Sequence, residues 1–218
     1  MGRRSDHSRE ELHELALTAA WEIAGKEGLR GLTGRRIARE IGYTVGTLYN
    51  LFDDLDDLIA QLIGRILGAL YDEVKDLPLD GDPESGLRSL AAGYIRFTGR
   101  HPKLWSLIFE HRLPEGRDPP AANQHQVMEL LGLVESAISP LFPPSREAER
   151  LHVARVLWSG LHGICSLESA GKLADAETSS AMLETLIAYF LAGLREEIDK
   201  PPPRWPATAD TRGSGLEC

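Results

Sequence analysis

The sequence predicts an all-α protein of about nine helices, and three observations carry that expectation. Apolar residues recur at steps of three and four along most of the 218 residues, capping and stop signals punctuate them, and no run alternates as a half-buried strand would. Ser8 and Glu11 form a capping-box pattern ahead of Leu12, Leu15, Ala19 and Ile23, and Gly28 ends this first helix. A second helix opens at Gly34, with Ile37 and Ile41 facing a core and small Ala38 between them. Gly42 closes it, because glycine adopts the positive φ of a tight turn, and Thr44 caps a third helix with Leu48 and Leu51 on its inner side. A fourth starts near Asp53 and runs through Leu58, Ile59, Leu62, Ile63, Ile66 and Leu70.

Beyond a turn-rich connector at 77–85, a fifth helix is expected from about 83 to 99. The sixth follows Pro102, carries Leu104, Trp105, Leu107, Ile108 and Phe109, and ends near His111, where Glu110 and His111 read as a solvated helix end. Residues 113–122 are a proline-rich loop. The seventh helix spans about 123–138 and stops at Pro140, and the eighth opens at Ser145 and Arg146 and reaches about Gly171. The ninth begins at Thr178 or Ser179 and stops before Pro201. This divides the chain into a helix-turn-helix domain at 1–54, continuing into the fourth helix to about 76, a second helical domain at 77–199, and a disordered tail at 200–218 rich in Pro, Thr and Gly.

A formal net charge of −9 argues at first against a nucleic-acid partner. The distribution argues differently: residues 1–52 hold eight basic and seven acidic side chains, so the whole deficit lies in the remainder. With no signal-peptide pattern and no long apolar run, a cytoplasmic protein with no membrane partner is expected. Two cysteines, Cys165 within a helix and Cys218 at the last position, make no disulfide framework.

Within the second and third helices the residue types fit DNA recognition. Val45, Gly46, Thr47, Tyr49 and Asn50 are short, polar or aromatic, as expected on the outer face of a helix lying in a major groove. Thr33, Arg35 and Thr44 join them as candidate DNA contacts. Arg3 and Arg4, ahead of the first helix, read equally as an arm reaching DNA and as a disordered terminus. In Leu32-Thr33, Ile37-Ala38, Ile41-Gly42, Gly46-Thr47-Leu48-Tyr49, Phe52 and Leu58 the chain resembles the TetR (tetracycline repressor) family of transcriptional regulators, over roughly residues 9–60. Two positions depart from that pattern: Leu51 stands where histidine or tyrosine is common, and Leu55 where lysine is usual. Asp53, Asp54, Asp56 and Asp57 follow, which either repel a nearby phosphate backbone or cap the fourth helix with their carboxylates in solvent.

Trp158, His162 and Gly163 resemble the Trp-His-Gly type of C-terminal domain found in one branch of that family. The resemblance implies a homodimer formed through the last two helices, and the wide apolar arc of the final helix points the same way. It also implies a small-molecule effector of unknown identity, whose candidate contacts are Tyr94, Phe97, Trp105, Phe109, Trp158 and His162, although core packing explains these aromatics about as well.

No residue pattern calls for a cofactor. The sequence has no Walker loop, dinucleotide fingerprint or nucleophile elbow, none of its seven histidines has a HExxH spacing, and His162 with Cys165 reads as a packed pair rather than a metal site. The resulting expectation is a dimeric regulator that is not an enzyme, a repressor binding double-stranded operator DNA and released from it by an effector. The alternative is a helical enzyme or ligand carrier whose DNA-binding domain has degenerated, supported by Leu51, Leu55 and the aspartates.

Overall fold

The computed structural model describes residues 7–79, 81–173, 178–198 and 200. Among them lie nine α-helices, three short 3-10 segments and no strand. The helices are α1 (Arg9–Glu27), α2 (Gly34–Glu40), α3 (Val45–Tyr49), α4 (Leu55–Val74), α5 (Pro83–Arg100), α6 (Pro102–Glu110), α7 (Ala121–Ile138), α8 (Arg150–Ser169) and α9 (Ser179–Glu197).

Helix α1 starts where its capping box dictates. Ser8 Oγ accepts from the Glu11 N–H at 3.1 Å, and the Glu11 carboxylate accepts from the Ser8 N–H at 2.6 Å. Its buried stripe is Leu12, Ala16, Ala19, Ala20 and Ile23. Leu15 is not part of it: three residues after Leu12 it falls at the edge of the stripe and is 38% exposed. The alanines leave room for close neighbours, and α1 packs against α2, α4 and α6.

The α2–α3 unit is short and tightly punctuated. Thr33 Oγ1 caps α2 through the Arg36 N–H at 3.2 Å, Gly42 takes φ +78° in the turn, and Thr44 Oγ1 accepts from the Thr47 N–H at 3.1 Å. Ile37, Ala38, Leu48 and Phe52 are buried beneath, whereas Ile41 and Leu51 are only half-buried at its rim.

Helix α4 follows directly and buries Leu58, Ile59, Leu62, Ile66, Leu67, Leu70 and Val74 against α1, α5 and α7. Its contact with α7 depends on glycine. A Cβ at Gly64 would lie 2.5 Å from Asn123 Oδ1, so Gly64 is what lets buried Asn123 approach and donate to the Ala60 carbonyl at 2.8 Å. One hydrophobic core then continues through α5, α6 and α7 to Ala154, Leu157 and Cys165 of α8 and Leu183, Ile187 and Leu191 of α9.

The eighth helix begins later than its sequence pattern implies, because Pro144–Glu149 form a 3-10 segment before α8. Its tighter turn directs Arg146 inward. The buried guanidinium donates to the carbonyls of Glu197 at 2.7 Å and Ile198 at 2.8 Å, and pairs with Glu149 at 2.7 Å. A cation is thereby held on the last carbonyls of α9, where the helix dipole favours it. Replacing Arg146 with alanine should lower stability by about 1.5–3 kcal/mol, the usual worth of hydrogen bonds to a charged group. Urea unfolding at fixed protein concentration measures this, and Arg146→Lys should recover only part of the loss.

Candidate nucleic-acid interface and ligand cavity

The exposed face of the α2–α3 unit is uncharged at its centre and basic on one flank. Gly46, Tyr49 and Asn50 are exposed on α3 and its cap, Thr33 and Thr44 are exposed at the two N-caps, and Arg35 is exposed on the first turn of α2. Thr47 is half-buried, its hydroxyl 3.0 Å from that of Thr44. Val45 departs from the outward position expected of it: it is half-buried and packs against the core. A Cβ at Gly34 would lie 2.7 Å from the Tyr49 hydroxyl, so this glycine opens the space in which Tyr49 rests on the start of α2. A phenolic donor beside the positive end of a helix forms an anion-accepting corner, the chemistry a phosphate requires.

Arg3 and Arg4 lie outside the described residues. His7 Nδ1 lies 2.9 Å from the Tyr43 hydroxyl, so the chain enters α1 alongside the helix-turn-helix turn.

Two of the aspartates after Phe52, Asp54 and Asp56, are neither free in solvent nor directed only at their own helix, whereas Asp53 is exposed. Asp54 caps α4 through the Asp57 N–H at 2.8 Å and also receives the Arg117 guanidinium, Nη1 at 3.0 Å and Nη2 at 2.7 Å. That bidentate pairing and the backbone hydrogen bonds hold the Asp54 carboxyl down at about 2, against an ordinary value of 3.8. Asp56 accepts from His111 Nε2 at 2.9 Å, and His111 is buried, with 6% of its side chain exposed, instead of ending α6 in solvent. Asp57 accepts from the Asp53 N–H and from Gln61, whose Oε1 in turn lies 2.8 Å from Nε2 of His13. The acidic run is thus a junction between the recognition unit and the α6–α7 loop. Sequence reasoning missed it because Arg117 lies 63 residues away in a proline-rich segment without periodicity.

Next to this junction lies a cavity of about 570 Å³, between α4, the end of α6, the 111–120 loop and the start of α7. Its lining is mostly apolar, including Ile63, Leu67, Ile108, Leu113, Val127 and Met128, with His111, Arg117, Asn123 and Gln124 as its polar members. The six residues expected to contact an effector come together elsewhere, as a packed aromatic cluster centred on His162. Tyr94 Oη lies 2.6 Å from His162 Nδ1 and Ser166 Oγ 3.0 Å from Nε2, so both ring nitrogens have partners. Phe109 and Trp158 lie against the imidazole with centroids at 4.0 and 5.5 Å, while Phe97 and Trp105 are buried in the core. Burial lowers the His162 pKa, keeping it neutral near pH 7, and pushes the Cys165 thiol up to about 12. No group of three or more His, Cys, Asp or Glu side chains able to hold a metal ion occurs among the described residues.

A capped helix-turn-helix unit, joined through one long helix to a bundle with an apolar cavity, defines a helix-turn-helix transcriptional regulator. Residues 16–62 match the model of bacterial regulatory proteins of the tetR family, and residues 87–190 match that of the tetracyclin repressor-like C-terminal domain. The chain belongs to the TetR family of transcriptional regulators and has its DNA-binding helix-turn-helix domain. It is 26% identical over 195 residues to an uncharacterised HTH-type transcriptional regulator of Mycobacterium tuberculosis, covering 89% of this chain and 84% of that one. Another uncharacterised HTH-type regulator, YobS of Bacillus subtilis, is 25% identical over 181 residues, covering 83% and 91%. The fold is shared with a TetR-like transcriptional regulator from Rhodococcus sp. RHA1, at TM-score 0.60 and 20% identity over 86% of this chain and 99% of that one. A tetR-family regulator from Streptomyces coelicolor gives TM-score 0.63 and 18% identity over 88% and 81%. Among the described residues no helix is long and apolar enough to cross a membrane.

The junction makes a prediction about acid. Because the Asp54 carboxyl is held below its unfolded value, its pairing stabilises the native state fully above 3.8 and is lost as pH falls toward about 2. Asp54→Asn keeps a capping oxygen but loses the ion pair. The stability gap between wild type and this variant, read from urea midpoints, should be constant near neutrality, narrow as pH falls past 3.8 and be lost as it falls through about 2.

Proposed function

We propose that this TetR-family regulator is a homodimeric repressor, and that a small molecule bound in its C-terminal helices releases it from operator DNA. The observation that carries this reading is the position of α4. One end of the helix follows the recognition unit after a five-residue turn, and its Ala60, Ile63 and Leu67 form a wall of the 570 Å³ cavity. A ligand filling that space acts on the element that sets where α3 lies, and any preference it has for one arrangement of α4 must change DNA affinity by linkage. The cavity falls within the roughly 300–1,000 Å³ typical of small-molecule sites. We assign effector binding to this cavity, with the aromatic cluster around His162 as the packed support behind it. The chain acts as a cytoplasmic DNA-binding regulator rather than as an enzyme.

Dimerisation is supported by the outer face of α8 and α9. Val156, Leu167 and Tyr189 are exposed there, Gly163 has open space above it, and a groove of about 340 Å³ runs between Val153, Val156, Tyr189, Phe190 and Leu194. Small and apolar residues on adjacent helices suit a four-helix contact with the same pair from a second copy. The alternative of a degenerate DNA-binding domain is weakened, since Asp54 and Asp56 are engaged by Arg117 and His111 and the half-buried Leu51 and Leu55 pack against the core.

Two measurements test the reading. The wild-type protein should select a near-palindromic duplex from a random library, because one recognition helix per subunit pairs two half-sites across the dimer axis. Val156→Glu with Leu167→Glu should give a monomer by light scattering and lose at least about tenfold in affinity for that duplex; an unchanged dimer would place the interface elsewhere. On the recognition face, Tyr49→Phe should weaken binding to all sequences alike. Asn50→Ala should relax preference at one base pair, by about 1–3 kcal/mol for a bidentate contact, and an unaltered selected motif would remove Asn50 from the readers.

A further inference from the structure

We infer that the cavity beside α4 takes a monoanionic amphiphile, an organic carboxylate with an apolar body, and that its carboxylate competes with Asp54 for the single guanidinium of Arg117. The inference rests on the reading of this cavity as the effector site and adds its ligand class and the contact through which it signals.

Three observations lead to it. First, the lining carries no acidic side chain: nine of its thirteen residues are apolar, and the charged one, Arg117, is a cation. An apolar space with a single cation at its edge favours an apolar molecule with one negative end, because a charge taken from water needs a partner where it arrives. Second, Arg117 is held in place rather than trailing from the surface. Its N–H donates to the Pro114 carbonyl at 3.1 Å, closing a four-residue turn, and Gly116 at the third position has φ +80°, as a type II turn demands. Pro119 and Pro120 stiffen the chain that follows and line the cavity themselves. Third, Arg117 already grips Asp54, the cap of α4, four residues beyond Asn50 at the end of the recognition helix.

The chemistry follows from counting charges. A guanidinium has five N–H donors and its two bonds to Asp54 use two of them, so a ligand carboxylate can approach the same cation. Two carboxylates on one cation repel each other, and the grip on Asp54 weakens as the ligand binds. His111 holds Asp56 from the same loop at 2.9 Å, so any shift of the loop loosens both ties to the start of α4. Because coupling is reciprocal, DNA that fixes α4 in its Asp54-paired position disfavours the acid, and the acid disfavours DNA.

The probes are decanoate and 2-naphthylacetate, each compared by calorimetry with its primary amide, which has the same shape and no charge. With the wild-type full chain, at least one acid should bind at least about tenfold more tightly than its amide, the margin of a charge-assisted pair over a neutral one. Arg117→Gln should abolish that margin. Asp54→Asn keeps the cap and removes the competitor, so it should tighten the acid several-fold, leave the amide unchanged, and shrink the effect of the acid on affinity for the selected duplex. Circular-dichroism melts confirm that both variants are folded. The inference is overturned if neither acid binds up to about 1 mM, if the amides bind as tightly as the acids, or if Asp54→Asn leaves acid affinity unchanged. Duplex binding by the wild-type protein without any probe is read separately, so failure of the regulator reading would be recognised as such.

Discussion

Everything in this molecule depends on the burial of α4 between two sets of neighbours. On one side it packs on α1, braced by the His13 to Gln61 bond and by Arg65 reaching Glu14 and Thr18. On the other it packs on α5 and α7, close enough at Gly64 for a buried amide to reach its backbone. A five-residue α3 cannot hold its own orientation: it is shorter than an isolated helix needs to be, and its place comes from Leu48, Phe52 and the start of α4. The geometry of the DNA-binding face is therefore a property of the whole chain, transmitted through one helix.

Electrostatics divides along the same line. An acidic protein can bind a polyanion when its carboxylates are kept from the binding face or neutralised near it, and both occur here. The first 52 residues are close to balanced, while Asp54 and Asp56, which would otherwise stand at the edge of that face, are occupied by Arg117 and His111. Their pairing solves two problems at once, removing repulsion from DNA and anchoring the loop that walls the cavity.

The fold was largely legible in the sequence because its signals are local. Ser8 with Glu11, Gly42 and Thr44 each act within one turn of their own position, and each performs in the structure the task its residue type suggests; the Thr33 cap of α2 acts as locally, though in the sequence Thr33 reads only as a DNA contact. Where local pattern gave the wrong detail, as at Leu15 or the 3-10 start before α8, the outcome was set by which neighbour the helix meets and by the inward turn of Arg146. Of the residues expected on the outer face of α3, Gly46, Tyr49 and Asn50 are exposed, Thr47 is half-buried, and the small apolar side chain of Val45 is drawn to the core. The cavity was not legible. Its walls come from α4, α6, α7 and a loop without periodicity, and aromatic residues, the usual cue for a pocket, went instead into the tightly packed cluster around His162. Large rings fill space; the cavity exists where Ile63, Val127, Met128 and two prolines fail to fill it.

That contrast bears on how a ligand could move anything. In the His162 cluster both imidazole nitrogens are partnered and Tyr94, Phe97 and Trp105 are buried, while the indole N–H of Trp105 has no hydrogen-bond partner and Phe109 is exposed, so a molecule entering there meets core packing on its inner side. The α4 cavity is bounded on one side by a loop tied to the helix through two exchangeable polar contacts, at Asp54 and Asp56. The Asp54–Arg117 pair is half-exposed on both sides, and ion pairs so placed are individually weak, contributing about 0–1 kcal/mol, so a contact of that size is suited to being exchanged. A coupling of about 1–3 kcal/mol between two sites requires only that the two ties favour one position of α4 and that occupancy of the cavity favour another. The apolar core shared by α1, α4, α5 and α7 holds the length of the helix, and the weaker polar contacts lie at its start.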